Sequence, residues 1–268
     1  MRRLRRIAAI LLRQFYLIRG SPARLLPLFV WAAVDIVLWG FITRYLNTVV
    51  RSGHNFIPAL LGAVLFWDFF TRVMFGVTTT FLEDVWSRNF LNLFATPLSI
   101  SEYLSGLVLS SIVTSAIGLV AMILLATLVF GLSFIVYGLA LIPFLLVLFL
   151  FGIALGVLAV SFVLRYGPAA EWFTWPLPAV LSPFAAVFYP LSTLPGWMQH
   201  VSRVLPPSYV FESMRSILEG GPISWMNLLW SISLAMMYVL LAGWFFTRIY
   251  RRAVRTGLIA RYSAETLS

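Results

Sequence analysis

Long, continuous runs of hydrophobic residues alternate with short polar segments along this chain. Six such runs cover residues 25–47, 56–82, 104–131, 135–164, 172–194 and 226–247. Each meets or exceeds the roughly 20 residues that a helix needs to cross about 30 Å of hydrocarbon. The runs are continuous rather than alternating, which indicates helices and not barrel strands. The pattern therefore predicts an all-α membrane protein with six transmembrane helices in a single domain, residues 1–268.

The segment before the first run predicts an amphipathic helix over residues 1–22. Five hydrophobic residues recur there at steps of three and four, which places them on one helix face: Leu4, Ile7, Leu11, Phe15 and Ile18. Six arginines lie between and beside them, at positions 2, 3, 5, 6, 13 and 19. We therefore expect an interfacial helix whose arginines meet anionic lipid.

Composition narrows the possible chemistry. Hydrophobic residues make up 61% of the chain and charged residues 10%, against about 45–50% and about 25% in soluble domains. The chain has no cysteine, which excludes disulfides and thiolate metal sites. All 19 basic residues are arginine, so a phosphate-binding loop lysine, a Schiff-base lysine and a lysine general base are excluded as well.

The distribution of arginines predicts the orientation in the membrane. With both termini in the cytoplasm, 14 arginines lie on the cytoplasmic side, including those of a tail over residues 248–268, and four lie outside. An excess of arginine marks the cytoplasmic side of a membrane protein. A net charge of +10 therefore indicates topology here and not nucleic-acid binding.

The cytoplasmic loop between the second and third spans, residues 81–106, predicts a short amphipathic helix. Its apolar face combines Leu82, Trp86, Phe90, Leu93 and Phe94. Its polar faces carry Glu83, Asp84, Ser87 and Arg88. Thr96-Pro97 ends this helix, and Ser99 with Glu102 forms a capping box that begins the third span.

Two further amphipathic pieces precede the last span on the outer side. They cover residues 195–205 and 208–219, separated by Pro206-Pro207 and ended by Gly220-Gly221-Pro222. Each is too short to cross a bilayer. We therefore predict two re-entrant or interfacial helices, because irregular backbone at membrane depth must be buried in protein or line a cavity.

Three charged residues lie well inside predicted spans, away from the span ends. Asp68 and Arg72 are four residues apart, so they share a helix face and can pair; they are either a structural ion pair or a substrate contact. Asp35 has no local partner and is the better functional candidate, unless Arg72 reaches it. In the fourth span Gly152 and Gly156 suit close helix packing.

Catalytic and metal-binding chemistry has little support. The two histidines, His54 and His200, map to the outer side without partners at metal-ligand spacing. No nucleophile elbow occurs. Aromatic residues near the ends of the spans suit a path for a sugar or a planar drug, but such residues are usually interface anchors.

The order of these features resembles the membrane permease of type-2 ABC exporters, the ABC-2 type transporter family. Two stretches carry the resemblance: FLNLFATPLSISEYLSG after the charged loop helix, and FYPLSTLPGWMQHVSRVLPPSYVFESMR before the last span. The first contains a leucine-rich run ending in Thr96-Pro97-Leu98-Ser99. The second contains Pro190 to Trp197, then Pro206-Pro207, then an acidic residue three positions before Arg215.

The resemblance implies a division of labour between subunits. Two copies of the permease as a homodimer, or this chain with a related partner, would associate in the inner membrane, and each copy would bind one ABC ATPase subunit. The partner ATPase would bind ATP and magnesium, and this chain would hold no cofactor or metal. The resemblance identifies the loop helix as the coupling helix, whose implied ATPase contacts are Glu83, Asp84, Arg88, Asn89 and Phe90. It also implies a second ATPase contact between spans four and five, at Arg165 and Glu171.

The resemblance also implies a translocation path and an outer gate. Spans one and five would line the path with Asp35, Trp39, Trp175, Phe184 and Phe188. The re-entrant helices would form the gate with Tyr189, Pro190, Trp197, Glu212 and Arg215. The expected activity is ATP-driven export of a drug, a lipid or a lipid-linked glycan. The alternatives are an ion-coupled secondary transporter that uses Asp35 and Asp68, and an intramembrane enzyme, which the missing nucleophile–base pairs disfavour.

Overall fold

The computed structural model describes residues 2–49, 57–87, 92–93 and 95–257. Within these ranges the regular elements are helices, with no strand among them, which confirms the all-α prediction. The α-helices are α1 (Arg2–Arg19), α2 (Pro22–Val49), α3 (Gly62–Trp86), α4 (Ile100–Phe130), α5 (Leu141–Tyr166), α6 (Leu177–Leu181), α7 (Gly196–Arg203), α8 (Pro206–Leu218) and α9 (Trp225–Arg255). A π-helical turn, Ile57–Leu61, precedes α3, and 3-10 helices cover Phe134–Ala140, Pro168–Phe173 and Leu191–Thr193.

Five helical stretches are long and apolar enough to cross a membrane. They are Phe29–Val49, Ile57–Trp86, Ile100–Phe130, Phe134–Tyr166 and Trp225–Arg255. These stretches coincide with five of the six predicted spans, which are thereby confirmed as helices. The last of them continues to Arg255, so the first part of the predicted tail is helical.

The predicted span over residues 172–194 is wrong as one continuous helix. The structure divides this segment into the end of a 3-10 helix, the five-residue α6, turns over residues 182–189 and a second 3-10 helix. Pro176, Pro178, Pro183 and Pro190 lie within it. Each proline removes a backbone donor and crowds the preceding turn, so an uninterrupted helix cannot form here.

The core of the bundle is built around α3, which packs against both α4 and α5. Gly152 and Gly156 of α5 allow a close approach: a Cβ atom would lie 2.9 Å from the side chain of Val73 at Gly152 and 2.8 Å from the Met74 carbonyl oxygen at Gly156. The prediction that these two glycines serve close helix packing is confirmed. On its other side α5 packs along α9.

The two ends of the bundle differ in charge. Arg165 at the end of α5 and four arginines of α9 (Arg248, Arg251, Arg252 and Arg255) line one common groove. We call this the basic end, and the opposite end the far end. The helices α3, α5 and α9 each run between the two ends.

Helix α1 packs lengthwise on the beginning of α4 at the basic end. Arg6 contacts Glu102, and Ile10 fits against Gly106, where a Cβ atom would lie 2.7 Å from it. The predicted helix is present as α1, and its position at the membrane interface stays a prediction. Leu4 and Phe15 of the apolar face are exposed, at 72% and 53%. The face that contacts the protein includes Arg6, Ile10 and Arg13. Arg6 and Arg13 pair with carboxylates of α4 and α3, so these two of the arginines that were expected to meet lipid contact protein instead.

Candidate functional site

A charged cluster lies halfway along the spans. The Nε atom of Arg72 donates a hydrogen bond of 2.6 Å to Oδ2 of Asp68 one turn earlier in α3, which confirms the predicted pair. Both side chains are largely buried, and Arg72 also packs against Gly118 of α4. Asp35 of α2 lies close enough to interact electrostatically with both. The fold therefore brings the three intramembrane charges together from two helices.

These charges line a cavity of about 660 Å³ between α1, α2, α3 and α4. It extends along α3 from Glu83 and Trp86 at the basic end to Asp68 at mid-bundle. Fifteen residues of helix separate Asp68 from Glu83, a rise of about 22 Å at 1.5 Å per residue. The remaining lining residues are Gln14, Ile18, Trp31, Asp35, Thr71, Arg72, Phe75, Gly76, Thr79, Thr80, Ser110, Thr114, Ser115 and Trp175.

Most hydroxyl groups of this lining can only accept a hydrogen bond from a ligand. Thr71, Thr79 and Thr80 donate their protons to carbonyl oxygens four residues earlier in α3, at 2.9, 2.6 and 2.7 Å. Thr114 does the same in α4. Because these protons are already used and the carboxylates of Asp35 and Glu83 are also acceptors, the wall is rich in acceptors.

Two buried polar side chains of the wall are unsatisfied. The amide nitrogen of Gln14 and the hydroxyl of Ser115 have no hydrogen-bond partner among the described residues, although the two side chains are only 3% and 2% exposed. A buried polar group without a partner is costly. Sequence reasoning missed these residues, since neither belongs to a recognisable motif.

Aromatic side chains continue the wall towards the far end. A second cavity of about 330 Å³ shares Asp35, Asp68 and Trp175 with the first and adds Trp39 and Phe188. The rings of Trp39 and Phe188 stack at 5.0 Å. Thus four of the five predicted path residues lie together at one pair of adjoining cavities.

Phe184, the fifth predicted path residue, lies elsewhere. Its ring packs on the ring of Trp197 of α7 at 6.0 Å, and it contributes to neither of the two cavities. The turns over residues 182–189 direct it towards the far-end helices instead. Trp197, a predicted gate residue, therefore contacts Phe184, a predicted path residue.

At the basic end Asp84 connects three helices. Its carboxylate accepts hydrogen bonds from the Arg13 guanidinium of α1 and from the Tyr103 hydroxyl of α4 at 2.8 Å. Asp84 is fully buried, so its predicted exposed position is wrong. It lies on α3, which continues to Trp86 without a break. The hydrogen bond to Asp84 raises the pKa of Arg13 above its ordinary value, and this effect exceeds the opposing effect of burial.

The remaining predicted coupling residues make different contacts. Glu171 accepts a 3.0 Å hydrogen bond from the Trp86 indole, which joins the end of α3 to the segment after α5. Arg165 lies over the Tyr166 ring, 5.3 Å from its centroid. Glu83 lines the main cavity. Arg88, Asn89 and Phe90 lie outside the described residues, as does His54.

The flanks of the loop between α3 and α4 are both tied to α1. The predicted capping box is confirmed: the Ser99 hydroxyl accepts from the Glu102 backbone, and the Glu102 carboxylate accepts from the Ser99 backbone. The same carboxylate accepts a 3.3 Å hydrogen bond from Arg6. With the Arg13–Asp84 contact, α1 holds the last turn of α3 and the first turn of α4.

At the far end α8 holds the turns of the broken segment. Arg215 donates to the carbonyl oxygens of Ala186 and Val187, at 2.8 and 3.3 Å, and to the Glu212 carboxylate at 2.7 Å. Glu212 in turn accepts a 2.9 Å hydrogen bond from the Leu191 backbone.

The prolines and aromatic residues of this region complete the arrangement. Pro190 accepts hydrogen bonds on its carbonyl from the backbone and hydroxyl of Thr193. The Tyr189 hydroxyl donates to the Pro183 carbonyl at 2.9 Å. Trp197 is 63% exposed. The two helices over 196–203 and 206–218 match the two predicted short helices in position.

Comparison with known proteins agrees with this arrangement. The sequence profile of the family described as "ABC-2 type transporter" matches residues 5–218. The chain is also similar to Nodulation protein J of Rhizobium meliloti (strain 1021), with 32% identity over 77 residues, which are 28% of this chain. The aligned part covers 29% of that relative's length. The matched profile includes α1, the mid-bundle charges and both far-end helices, and the chain therefore belongs to the ABC-2 type transporter family, as a membrane permease.

Proposed function

We propose that this permease is the transmembrane subunit of an ATP-driven exporter that moves an amphiphilic or hydrophobic substrate outward. The observation that supports this most directly is the cavity that extends from Glu83 at the basic end to Asp35 and Asp68 at mid-bundle. It combines an apolar aromatic side with a polar, acceptor-rich side. A drug, a lipid or a lipid-linked glycan presents both kinds of surface.

The orientation follows from charge. If the basic end faces the cytoplasm, as the excess of arginine favours, the cavity is entered from the cytoplasm and the α7–α8 region closes the outer side. The broken segment runs from Glu171, which contacts Trp86 at the basic end, to Leu191, which contacts Glu212 of α8. It therefore serves as the sixth crossing of the inner membrane. Both termini then lie in the cytoplasm.

ATP hydrolysis belongs to a separate chain in this proposal. The sequence has no lysine, so it cannot form a complete Walker A motif. Two copies of an ABC ATPase, with ATP and magnesium bound to them, would contact two copies of this permease. The loop after Trp86 and the segment around Arg165 are the contact regions, and the Trp86–Glu171 hydrogen bond would move them together.

Asp84 is removed from the proposed ATPase contacts. A fully buried carboxylate that is already bound by Arg13 and Tyr103 cannot also contact a soluble subunit. Its proposed role is to transmit motion of the loop to α1 and α4. Glu83 and Glu171 remain candidate contacts, because both are partly exposed.

Affinity purification from native membranes tests the proposal. We expect a polypeptide with a Walker A motif to co-purify and to hydrolyse ATP in a vanadate-sensitive manner. Glu83→Arg should reduce the amount of this partner, and Arg203→Gln at the far end is the matched control. An intact permease that never co-purifies with an ATPase would contradict the proposal.

The presence of Asp35 and Asp68 beside the cavity favours one alternative, an ion-coupled secondary transporter. Everted membrane vesicles distinguish the two functions with a fluorescent alkyl glycoside as the probe. Uptake that requires ATP and survives a protonophore supports the exporter. Uptake that a protonophore abolishes, without any need for ATP, supports the secondary transporter.

A further inference from the structure

A second large cavity lies on the other side of the bundle from the translocation cavity. It is a groove of about 1400 Å³ between the first turn of α4, the end of α5 and the second half of α9. It shares no lining residue with the mid-bundle cavity. Its volume exceeds the roughly 300–1,000 Å³ that is usual for small-molecule sites.

The second half of α9 forms most of its wall, and one stripe along this helix carries the arginines. Leu240, Trp244, Arg248, Arg251 and Arg255 recur at steps of three and four residues, with Gly243 and Arg252 beside them, so together they form one broad helix face. The stripe changes from apolar to basic at the contact between Trp244 and Arg248, whose guanidinium carbon lies 5.5 Å from the indole centroid. This is the order of chemistry found from the hydrocarbon to the head-group layer.

The basic part of the groove has no carboxylate to balance it. Arg165 of α5 adds a fifth guanidinium, and the described lining residues include no aspartate or glutamate. Glu102 lies next to the lining residue Ser101, but its carboxylate is bound by Arg6 and by the Ser99 backbone. The groove therefore presents a concentrated positive charge beside an apolar channel.

The dimensions of the stripe match one leaflet. Eleven residues separate Leu240 from Arg251, a rise of about 16 Å, and half of a hydrocarbon core of about 30 Å is about 15 Å. A Cβ atom added at Gly243 would meet nothing within 4 Å, so the channel is open at this point. A soluble subunit cannot reach this depth, whereas an acyl chain can.

We propose that this groove binds one anionic phospholipid of the leaflet at the basic end, with its phosphate on the arginines of α9 and Arg165 and an acyl chain along Leu240, Gly243 and Trp244. Charge complementarity selects an anionic head group. The apolar half of the stripe selects a lipid over a free anion. The site requires only that the chain spans a bilayer and is independent of ATP coupling.

Lipid retention on the full-length chain tests this site. The protein is reconstituted into nanodiscs of phosphatidylcholine with increasing phosphatidylglycerol, released, and analysed by native mass spectrometry for phosphatidylglycerol bound per chain. Arg251→Gln combined with Arg252→Gln should weaken this binding about 25-fold, at about fivefold for each arginine lost. Gly243→Leu should abolish it while every arginine remains.

Matched variants separate these effects from misfolding. Arg251→Lys combined with Arg252→Lys keeps the charge and should retain the lipid. Gly243→Ala leaves most of the channel open and should also retain it. Arg203→Gln removes one exposed arginine at the far end and should change nothing. Thermal unfolding in detergent verifies that each variant is folded.

Three outcomes would overturn the lipid assignment. If inorganic phosphate displaces the bound phosphatidylglycerol and Gly243→Leu still binds it, the arginines form a site for a free anion. If the Arg251→Gln, Arg252→Gln variant keeps its lipid and loses a co-purifying ATPase, the groove is a protein-docking surface. Equal retention of phosphatidylcholine and phosphatidylglycerol would likewise contradict the proposal.

Discussion

Asp84 shows how one buried carboxylate can connect three helices at the basic end. Its two oxygens bind different partners, Arg13 on α1 and Tyr103 on α4. Removal of the charge would leave the Arg13 guanidinium beside a neutral group in a partly buried position. Hydrogen bonds to charged groups contribute about 1.5–3 kcal/mol each, so this single residue is important for the stability of the whole end.

Asp84→Asn should therefore lower the free energy of unfolding by about 1.5–3 kcal/mol. Arg13→Gln should have a similar effect, and the double variant should lose less than the sum, because the two residues act on one contact. Unfolding in detergent by a denaturant measures all three, with Arg19→Gln, an exposed arginine of the same helix, as the control. Strictly additive losses would contradict the contact.

The mid-bundle charges give a second residue-scale prediction. Asp68→Asn removes the charged partner that lies 2.6 Å from Arg72 inside a span, and it should lower the free energy of unfolding by about 1.5–3 kcal/mol, the usual contribution of a hydrogen bond to a charged group. Asp68→Asn combined with Arg72→Gln should recover most of that stability. Thermal unfolding of the three proteins provides the measurement; a double variant as unstable as Asp68→Asn alone would show that the pair is not the cause.

Asp35 should behave differently, because its proposed role is in the path and not in folding. We expect Asp35→Asn to keep the unfolding free energy within about 1 kcal/mol, in the range of ordinary substitutions, and to lower uptake of the alkyl glycoside by everted vesicles. Asp68→Asn should impair both properties. Unchanged uptake by Asp35→Asn would remove this residue from the path.

At the scale of helices, close packing of α3 on α5 depends on the absence of side chains. Gly156→Ala would place a Cβ atom 2.8 Å from the Met74 carbonyl oxygen. The backbone would have to move to relieve this clash. Overpacking of this kind costs about 1–3 kcal/mol. Gly243→Ala on α9, where the space is open, is the matched control. Thermal unfolding should show a loss for the first substitution only.

The far-end segment is held by α8 in a strained shape. Ala186 has a φ of 51°, and it is the one non-glycine residue with a positive φ among the described part of the chain. This conformation costs roughly 1–2 kcal/mol for a residue with a Cβ atom. The hydrogen bond from Arg215 to the Ala186 carbonyl oxygen holds it in place. The turns that replace the predicted fifth helix are thus specified by contacts with α8.

Ala186→Gly should consequently stabilise the protein by about 1 kcal/mol or leave it unchanged, because glycine adopts a positive φ without strain. Ala185→Gly, the buried neighbour with an ordinary φ, should destabilise it by roughly 0.5–1 kcal/mol. Thermal unfolding compares the two. A greater loss for Ala186→Gly than for Ala185→Gly would contradict the strained conformation.

For the whole molecule, the number of membrane crossings depends on the broken segment. Five long helices are confirmed as candidates for crossings, and the segment between Glu171 and Leu191 connects the two ends of the bundle. If it crosses, the total is six and both termini share a side. If it does not, the termini lie on opposite sides.

Single cysteines can decide this, since the natural chain has none. Three exposed serines serve as positions: Ser87 at the basic end, and Ser133 and Ser192 at the far end. An impermeant maleimide added to intact cells should label Ser133→Cys and Ser192→Cys, and should label Ser87→Cys only after the membrane is opened. Labelling of Ser192→Cys only in opened cells would show that the segment does not cross.

Local signals were predictable from the sequence, and distant contacts were not. The capping box of Ser99 and Glu102 and the pair of Asp68 and Arg72 join residues three and four positions apart, and both are confirmed. The burial of Asp84 was missed because its partners lie 71 and 19 positions away. No periodicity of α3 reveals that α1 will place an arginine against it.

By itself the sequence determined the membrane class, five of the helices, the charge difference between the ends and the family, because hydrophobic length, arginine distribution and short motifs act locally. Only the tertiary structure decided which charges meet. It placed Asp35 beside Asp68 and Arg72, buried the unsatisfied polar groups of Gln14 and Ser115 in a cavity wall, and held the proline-broken segment on Arg215. These features arise where separate helices pack, and packing partners are not encoded in the periodicity of any one helix.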